Sequence, residues 1–469
     1  MTVELQPSGS LEVLEHRPPA GRPRRYRFPS FTRERLDNGL TVIAAHLPGR
    51  PLLAAHLLLE GGAATEPAGH AGVTSLAARG LSEGTRKRDA IQLVEAAERL
   101  GAEIHADAGW EAVAVSLEVP RTRFAPAVAL LAEMVLQPSF PESEIERLRD
   151  ERVNDLLQAR ADPRRRAERA FSETIYAPGS LFYRPPGGTE ETVPGLTRAL
   201  VAECHLQLLE PASATLVVAG DLDAIPIMEV AGEQFVSWQR LAVASGGDVD
   251  AMPHPDGGRV VIVDRPGSPQ SEVRIGHVGL RRQIPDYHAV VVMQTILGGL
   301  FNSRLQRLLR EERGYTYGIG AGFEFRRAEG PFAVRTAVET DVTAPAVGDI
   351  MRELRGIRAA PVTATELDEA RDYLVGVFPL RFDTSSQVAA AIAGLVLHRL
   401  PDDELDRYRP AVAAVTARQV LAAAAHIQLE NLSVVIVGDA ARIEPGLREL
   451  GLERISTITD PVLAGGAET

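Results

Sequence analysis

Residues 216–225 read LVVAGDLDAI, and residues 434–443 read VVIVGDAARI. Each is an apolar run that closes on Gly-Asp, the composition of a strand buried on both faces and halted by a turn. A second pair of stretches precedes them in the same order, SEIERLRD at residues 143–150 and TELDEARD at residues 365–372. Two landmarks repeated in register, at nearly the same spacing, imply one structural unit written twice.

Within the first copy, Asp37-Asn38-Gly39-Leu40 reads as a tight turn feeding the strand TVIAAH, and Leu52 to Glu60 continues as a second strand. Helices are expected over Gly72 to Gly80 and over Asp89 to Leu100, the latter with Ile91, Val94, Ala97 and Leu100 on one face. Ala112 to Val119 alternates as a strand, Phe124 to Leu136 carries a helical apolar stripe, and Pro141-Glu142-Ser143-Glu144 opens a charged helix to about Ala161. The second copy replays this order: VVIVD from Val260, Val273 to Gly279, a helix around Met293 and Leu305, the strand Pro331 to Glu339 and a helix over Val347 to Ile357. Strands and helices mix without strict alternation. The expected fold is therefore α+β, two homologous sandwich domains, each a mostly antiparallel sheet with helices packed on one side. The boundaries read as an extended lead-in over residues 1–30, a first domain at 31–243, a Gly/Pro-rich linker at 244–258 and a second domain at 259–469.

Composition narrows the function classes. The 469 residues are 45% hydrophobic and 24% charged, ordinary for a folded protein. A net charge of −13 argues against nucleic acid as a partner. The one dense basic run, Arg17 to Arg27, is short and proline-rich and reads as an extended arm. A single cysteine, Cys204, leaves no intramolecular disulfide and no four-cysteine zinc site. No apolar stretch approaches the roughly 20 residues of a membrane span. The first residues show no secretory signal pattern, so a cytoplasmic location is expected.

The richest chemistry lies in residues 301–318, FNSRLQRLLREERGYTYG. Leu305, Leu308 and Leu309 recur at helical spacing, Arg304, Arg307, Arg310 and Arg313 mark the polar side, and Gly314 suits a left-handed helix end. The following Tyr315-Thr316-Tyr317-Gly318-Ile319 alternates like a strand, which would set Tyr315 and Tyr317 on one face.

The duplicated halves resemble the pitrilysin-like, insulinase-type inverzincin family of zinc metallopeptidases. The residues that carry this resemblance are DNGL at 37–40, GLSEGT at 80–85, PSFPESEIERLRDER at 138–152, ILGGLFNSRL at 296–305 and LREERGYTYG at 309–318. Mitochondrial processing peptidase and paired bacterial peptidases are members. The resemblance implies a chamber formed with a second two-domain subunit. Active members carry His-x-x-Glu-His on a first-half helix, with a later glutamate as third zinc ligand. The spacing lets two imidazoles on one helix face grip zinc while the glutamate activates its water. Here Ser75 and Arg79 stand at the histidine positions, Ala78 at the glutamate position and Asp155 near the third-ligand position. Neither imidazole nor base remains, Arg79 would repel a cation, and a pairing of Asp155 with Arg79 is expected instead.

In two-subunit members an arginine and a tyrosine from the second half bind the scissile carbonyl of the partner's site, and Arg310 and Tyr317 match that pair. Tyr315 competes for the role of Tyr317. The resemblance thus implies a metal-free subunit of a heterodimeric zinc peptidase. Its homologous partner would supply Zn²⁺, water and general base, acting on short or unfolded peptides. A structural subunit of the same fold, as in the core of respiratory complexes, is the alternative.

Other polar groups read more plainly. His56, His70 and His105 lack ligand spacing. Cys204 and His205 are adjacent on an expected helix and point about 100° apart, unsuited to a nucleophile–base pair. Gly298 and Gly299 have no Lys-Ser/Thr after them and are no phosphate loop; they suit close backbone approach near the domain seam.

Overall fold

The computed structural model describes residue 21, residues 24–239 and residues 251–460. The first part of the expected linker and most of the basic arm lie outside these residues. The described chain builds two six-stranded sheets. The first comprises β1 (Phe31–Arg35), β2 (Thr41–His46), β3 (Leu52–Glu60), β4 (Glu103–Ala108), β5 (Ala112–Pro120) and β6 (Ala214–Gly220), in the order β1-β2-β6-β3-β5-β4. The second comprises β7 (Val260–Asp264), β8 (Gln270–Val278), β9 (Ile319–Phe323), β10 (Pro331–Glu339), β11 (Ser433–Gly438) and β12 (Ile455–Thr459), in the order β12-β7-β11-β8-β10-β9.

The duplication is visible strand by strand. The two Gly-Asp landmarks are β6 and β11, and each lies parallel to one neighbour (β2 or β7) and antiparallel to the other (β3 or β8). Both strands are buried along their whole length, as their unbroken apolar sequence requires. Only the outermost strands differ in origin: β1 enters before its sheet and β12 is added after the other, parallel to β7.

The first half contributes helices α1 (Val73–Gly80), α2 (Ala90–Leu100), α3 (Phe124–Leu136), α4 (Glu142–Ala161), α5 (Pro163–Ile175), α6 (Arg198–Leu208) and α7 (Ile227–Phe235). The second contributes α8 (Tyr287–Gln294), α9 (Thr343–Ala359), α10 (Ala364–Val377), α11 (Ser385–Leu397), α12 (Glu404–Ala413), α13 (Ala417–Ala424) and α14 (Ala440–Glu449). Local chemistry sets their starts. Asp89, Thr363, Thr384 and Thr416 each form a capping box with the residue three positions on, satisfying orphan N–H groups in the first turn.

Each sheet packs its own helices on one face and receives a helix from the opposite half on the other. Val42, Leu53, Leu57, Val218 and their neighbours meet α1, α3 and α4. The reverse face, through Ile43, Ala54, Leu58 and Val217, joins a core that holds Val388, Ala389 and Ile392 of α11. Reciprocally, Val261, Val263, Val435 and Val437 of the second sheet receive Ala167, Ala170 and Phe171 of α5. Burying such side chains contributes about 1.5–3 kcal/mol each, so neither half can separate without exposing a sheet face. Ion pairs reinforce the exchange: Arg166 of α5 grips Asp460 beyond β12 at 2.9 and 3.1 Å, and Glu168 accepts Arg274 of β8 at 2.7 Å.

The end of the arm crosses halves too. Phe28 packs edge-on against Phe382, Tyr26 stacks near the same ring, and the Phe28 N–H donates to Asp406. Asn38 closes the β1–β2 turn by bonding the carbonyls of Phe235 and Trp238 and accepting from Leu40 N–H.

Helix α2 forms where its spacing predicts, but only Ala97 and Leu100 of the expected face pack inward. Leu93 enters a small cluster with Leu130 and Met134 of α3, whereas Ile91 and Val94 are exposed. The helix rests on α3 and on the edge strand β4, a contact too narrow to take its whole stripe. No single helix among the described residues is long and apolar enough to cross a membrane.

Candidate functional site

The helix carrying Arg310 is entered through a turn in which Ser303 N–H donates to Leu300 O. Leu305 and Leu309 drop fully into the core of the second half and fix the helix's rotation. Over Gln306–Glu312 the backbone winds as a π-helix, a rare geometry that is frequent at functional sites. Two carboxylates clamp the ends: Arg304 bonds Glu366 of α10 at 2.6 and 3.0 Å, and Arg313 bonds Asp349 of α9 at 3.1 Å. Gly314 takes the left-handed conformation expected of it, φ 67°, which a side chain would strain.

Beyond Gly314 the structure departs from the expected strand. Residues 315–318 are irregular, and β9 begins only at Ile319. Tyr315 N–H returns to Leu309 O at 2.9 Å, and its ring packs against the core. The Thr316 hydroxyl donates to Gly318 O at 2.9 Å and accepts Gly318 N–H at 3.1 Å, closing a small ring around residue 317. Thr336 of β10 lies 3.0 Å from the Thr316 hydroxyl and pins that ring to the sheet. These local bonds replace ladder pairing, so the two tyrosines do not share a face. Tyr315 is half-buried, while Tyr317 stands 96% exposed at the tip of a held loop.

Arg310 is about a third exposed. Its guanidinium carbon lies 4.3 Å from the centre of the Phe301 ring, and its Nε is 3.5 Å from Glu311. No hydrogen bond joins Arg310 to Tyr317 among the described residues; both side chains leave one helix–loop segment towards solvent. What the segment offers chemically is a guanidinium and a phenol, two donor groups suited to an anionic oxygen.

The degenerate motif occupies α1 and α4. Ala78 is 1% exposed, a core methyl where a base would stand. Arg79 bonds Glu151 of α4 at 2.8 Å, one turn before Asp155, so the expected Arg79–Asp155 pair does not form. Glu151 also accepts Arg147 at 2.6 Å, and these two guanidinium groups hold its carboxyl below the usual range. Asp155 is taken by Arg165 at 2.7 Å and by Arg152, its neighbour one turn back. Ser75 offers a hydroxyl, Arg79 a cation and Asp155 a carboxylate already held by two guanidinium groups, so these side chains do not fit zinc. Among the described residues no group of three His, Cys, Asp or Glu side chains could hold a metal ion. A cleft of about 620 Å³ opens beside these arginines and draws its walls from both halves, with Arg152 and Trp110 facing Glu324 and Arg335.

The remaining candidates separate as their chemistry suggests. Cys204 faces the Thr74 hydroxyl, and burial pushes its thiol up to about 11. His205 points elsewhere, bonding Val135 O at 2.8 Å, and burial lowers it to about 4. Gly298 does admit close backbone approach, since a Cβ there would meet Ala321 N at 2.5 Å, but the neighbour is β9 of its own half rather than the seam. Glu366 and Thr336 escape sequence reasoning because each acts through a contact distant in the chain, and Phe301 because its ring meets Arg310 only through the turn that precedes the helix.

Two protein-family models match the chain: residues 41–183 fit "Insulinase (Peptidase family M16)" and residues 195–374 fit "Peptidase M16 inactive domain". An uncharacterised zinc protease of Mycobacterium leprae is 23% identical over 415 residues, covering 88% of this chain and 93% of that one. A Helicobacter pylori protein described as a non-peptidase homologue is 23% identical over 344 residues, covering 71% and 76%. The crystal structure of a peptidase M16 inactive domain from Pseudomonas fluorescens superposes with TM-score 0.81 at 22% identity, over 87% of this chain and 98% of that one. The two model matches together take in residues 41–183 and 195–374, and the relatives span nearly the same length: this chain belongs to peptidase family M16, as a member whose sequence contains no His-x-x-Glu-His.

Proposed function

We propose that this chain is the metal-free half of a two-subunit zinc peptidase and lends Arg310 and Tyr317 to an active site whose zinc, water and general base belong to a homologous partner. The observation that supports this reading most is the presentation of Tyr317. A phenol 96% exposed at the tip of a loop braced by Thr316, Gly318 and Thr336 is organised for something outside the chain. Arg310 stands on the adjoining helix, and among the described residues no carboxylate bonds its terminal nitrogens.

In the proposed reaction, water activated on the partner attacks a peptide carbonyl, and charge grows on the carbonyl oxygen. The guanidinium and the phenol of this chain would donate to that oxygen. Preorganised donors of this kind are each worth about 2.7–4 kcal/mol of barrier. Alone, the chain would not hydrolyse peptides, because Ser75, Ala78, Arg79 and Asp155 supply neither a zinc-binding donor set nor a free general base. Comparing Arg310→Ala with wild type in the assembled pair tests the role of the donors.

A second reading has one observation in its favour, the similarity to a Helicobacter pylori protein described as a non-peptidase homologue. As a structural subunit, the chain would support assembly without contributing donors. Turnover would then be indifferent to Arg310 and Tyr317.

A further inference from the structure

We propose that Phe301 is a positioning residue for Arg310, holding the guanidinium by its ring face so that the donor nitrogens stay free; the role rests on the shared-site reading above. The four arginines of this segment are restrained in different ways. Arg304 is clamped by Glu366 and Arg313 by Asp349, both through hydrogen bonds of 3.1 Å or less. Arg307 reaches Glu312 only at 3.5 Å and is largely exposed. Arg310 is the one of the four that lies over an aromatic ring, 4.3 Å from the Phe301 centre.

The difference matters chemically. A carboxylate that fixed Arg310 would occupy its N–H donors and cancel its charge, the two properties an oxyanion needs. A ring attracts the cation through its face and leaves the in-plane donors unspent. The contact to Glu311 involves Nε at 3.5 Å, and among the described residues no hydrogen bond engages Nη1 or Nη2. A long side chain left unrestrained would lose rotamer entropy on meeting the substrate, and the stack removes part of that loss beforehand.

The local geometry explains how residues nine apart meet. Long side chains on a helix run back towards its N-terminus, and Arg310 does so over the preceding turns. Phe301 lies in the turn just before that helix, where the returning guanidinium arrives. Core packing does not account for Phe301, since it is 66% exposed.

The test uses two readouts. In the isolated chain, Arg310 side-chain protons should show an upfield ring-current shift by NMR that persists in Phe301→Tyr and vanishes in Phe301→Leu. In the complex with a zinc-bearing M16 partner, Phe301→Leu should lower kcat by about two- to fivefold, the range of an exposed cation–π contact, with KM little changed. Phe301→Tyr should recover the loss, and Phe301→Leu should add nothing on an Arg310→Ala background. Absence of the ring-current shift, or an equal loss on that background, overturns the positioning role. If Arg310→Ala itself leaves turnover unchanged, the shared-site reading falls and takes the positioning role of Phe301 with it, even where the NMR shift shows the stack to exist.

Discussion

Arg304 and Glu366 form a two-pronged ion pair, 2.6 and 3.0 Å, that ties the helix bearing Arg310 to the first turn of α10. Glu366 is also the N3 member of the capping box begun by Thr363, whose N–H it accepts at 2.8 Å. One carboxylate thus caps a helix and braces the candidate site. Arg304 is the main cause holding its pKa down to about 2.

That depression has a pH signature. Because the folded carboxyl titrates below the unfolded one, the pair's stabilisation is present above pH ~4.5 and is lost as pH falls towards 2. Glu366→Gln should cost about 1–2 kcal/mol at pH 7, a value reduced for partial solvent screening. Urea unfolding at several pH values should show the gap between variant and wild type narrowing over that window. A gap that stays constant to pH 3 would contradict the assignment.

The two tyrosines should behave differently in the assembled pair. Tyr317→Phe is expected to lower turnover by about 10²–10³ without dissociating the subunits, the effect of losing one oxyanion donor. Tyr315→Phe should change it by less than about twofold, since its ring packs on the core while the loop is held by backbone and threonine bonds. Steady-state kinetics with a quenched-fluorescent peptide would separate them, and equal losses would show that the loop, not the phenol, matters.

Much of this architecture is legible in the chain because it is encoded locally. The Gly-Asp strand ends, the apolar stripes of α3 and α9, and the left-handed Gly314 follow from side-chain periodicity and backbone sterics. The exchange of α5 and α11 between halves does not. Helix α5, PRRRAERAFSETI, looks like a solvated helix, and its buried Ala167, Ala170 and Phe171 find their partners roughly a hundred or more positions later. The alternation through Tyr315 and Tyr317 misleads for a related reason: Thr316 meets Thr336 across the sheet, and that contact overrides strand propensity. Likewise Arg79 selects Glu151 rather than Asp155 because Arg152 and Arg165 already hold the latter.

The exchange of helices predicts that the halves unfold together. Asp460→Asn would leave Arg166 buried without its bidentate partner, with Glu173 only at 3.6 Å, and should cost about 3 kcal/mol. A single cooperative transition at a lowered midpoint is expected by calorimetry. Two separated transitions would mean that α5 does not bind the halves into one unit.

Cys204 should be a poor nucleophile. With its thiol pushed up to about 11, the thiolate population at pH 8 is about a hundredfold below that of an unperturbed cysteine. Iodoacetamide should label it slowly in the folded chain and readily in urea, and Cys204→Ser should leave the turnover of the complex intact. Rapid labelling of the native chain would place the thiol in a different environment.

The most direct test of the account is peptide hydrolysis with zinc supplied, measured for this chain alone, for a partner carrying His-x-x-Glu-His alone, and for the two mixed. Activity that appears only or chiefly in the mixture, and collapses there with Arg310→Ala, is the predicted result. Hydrolysis by this chain alone, or a mixture no faster than the partner by itself, would contradict it.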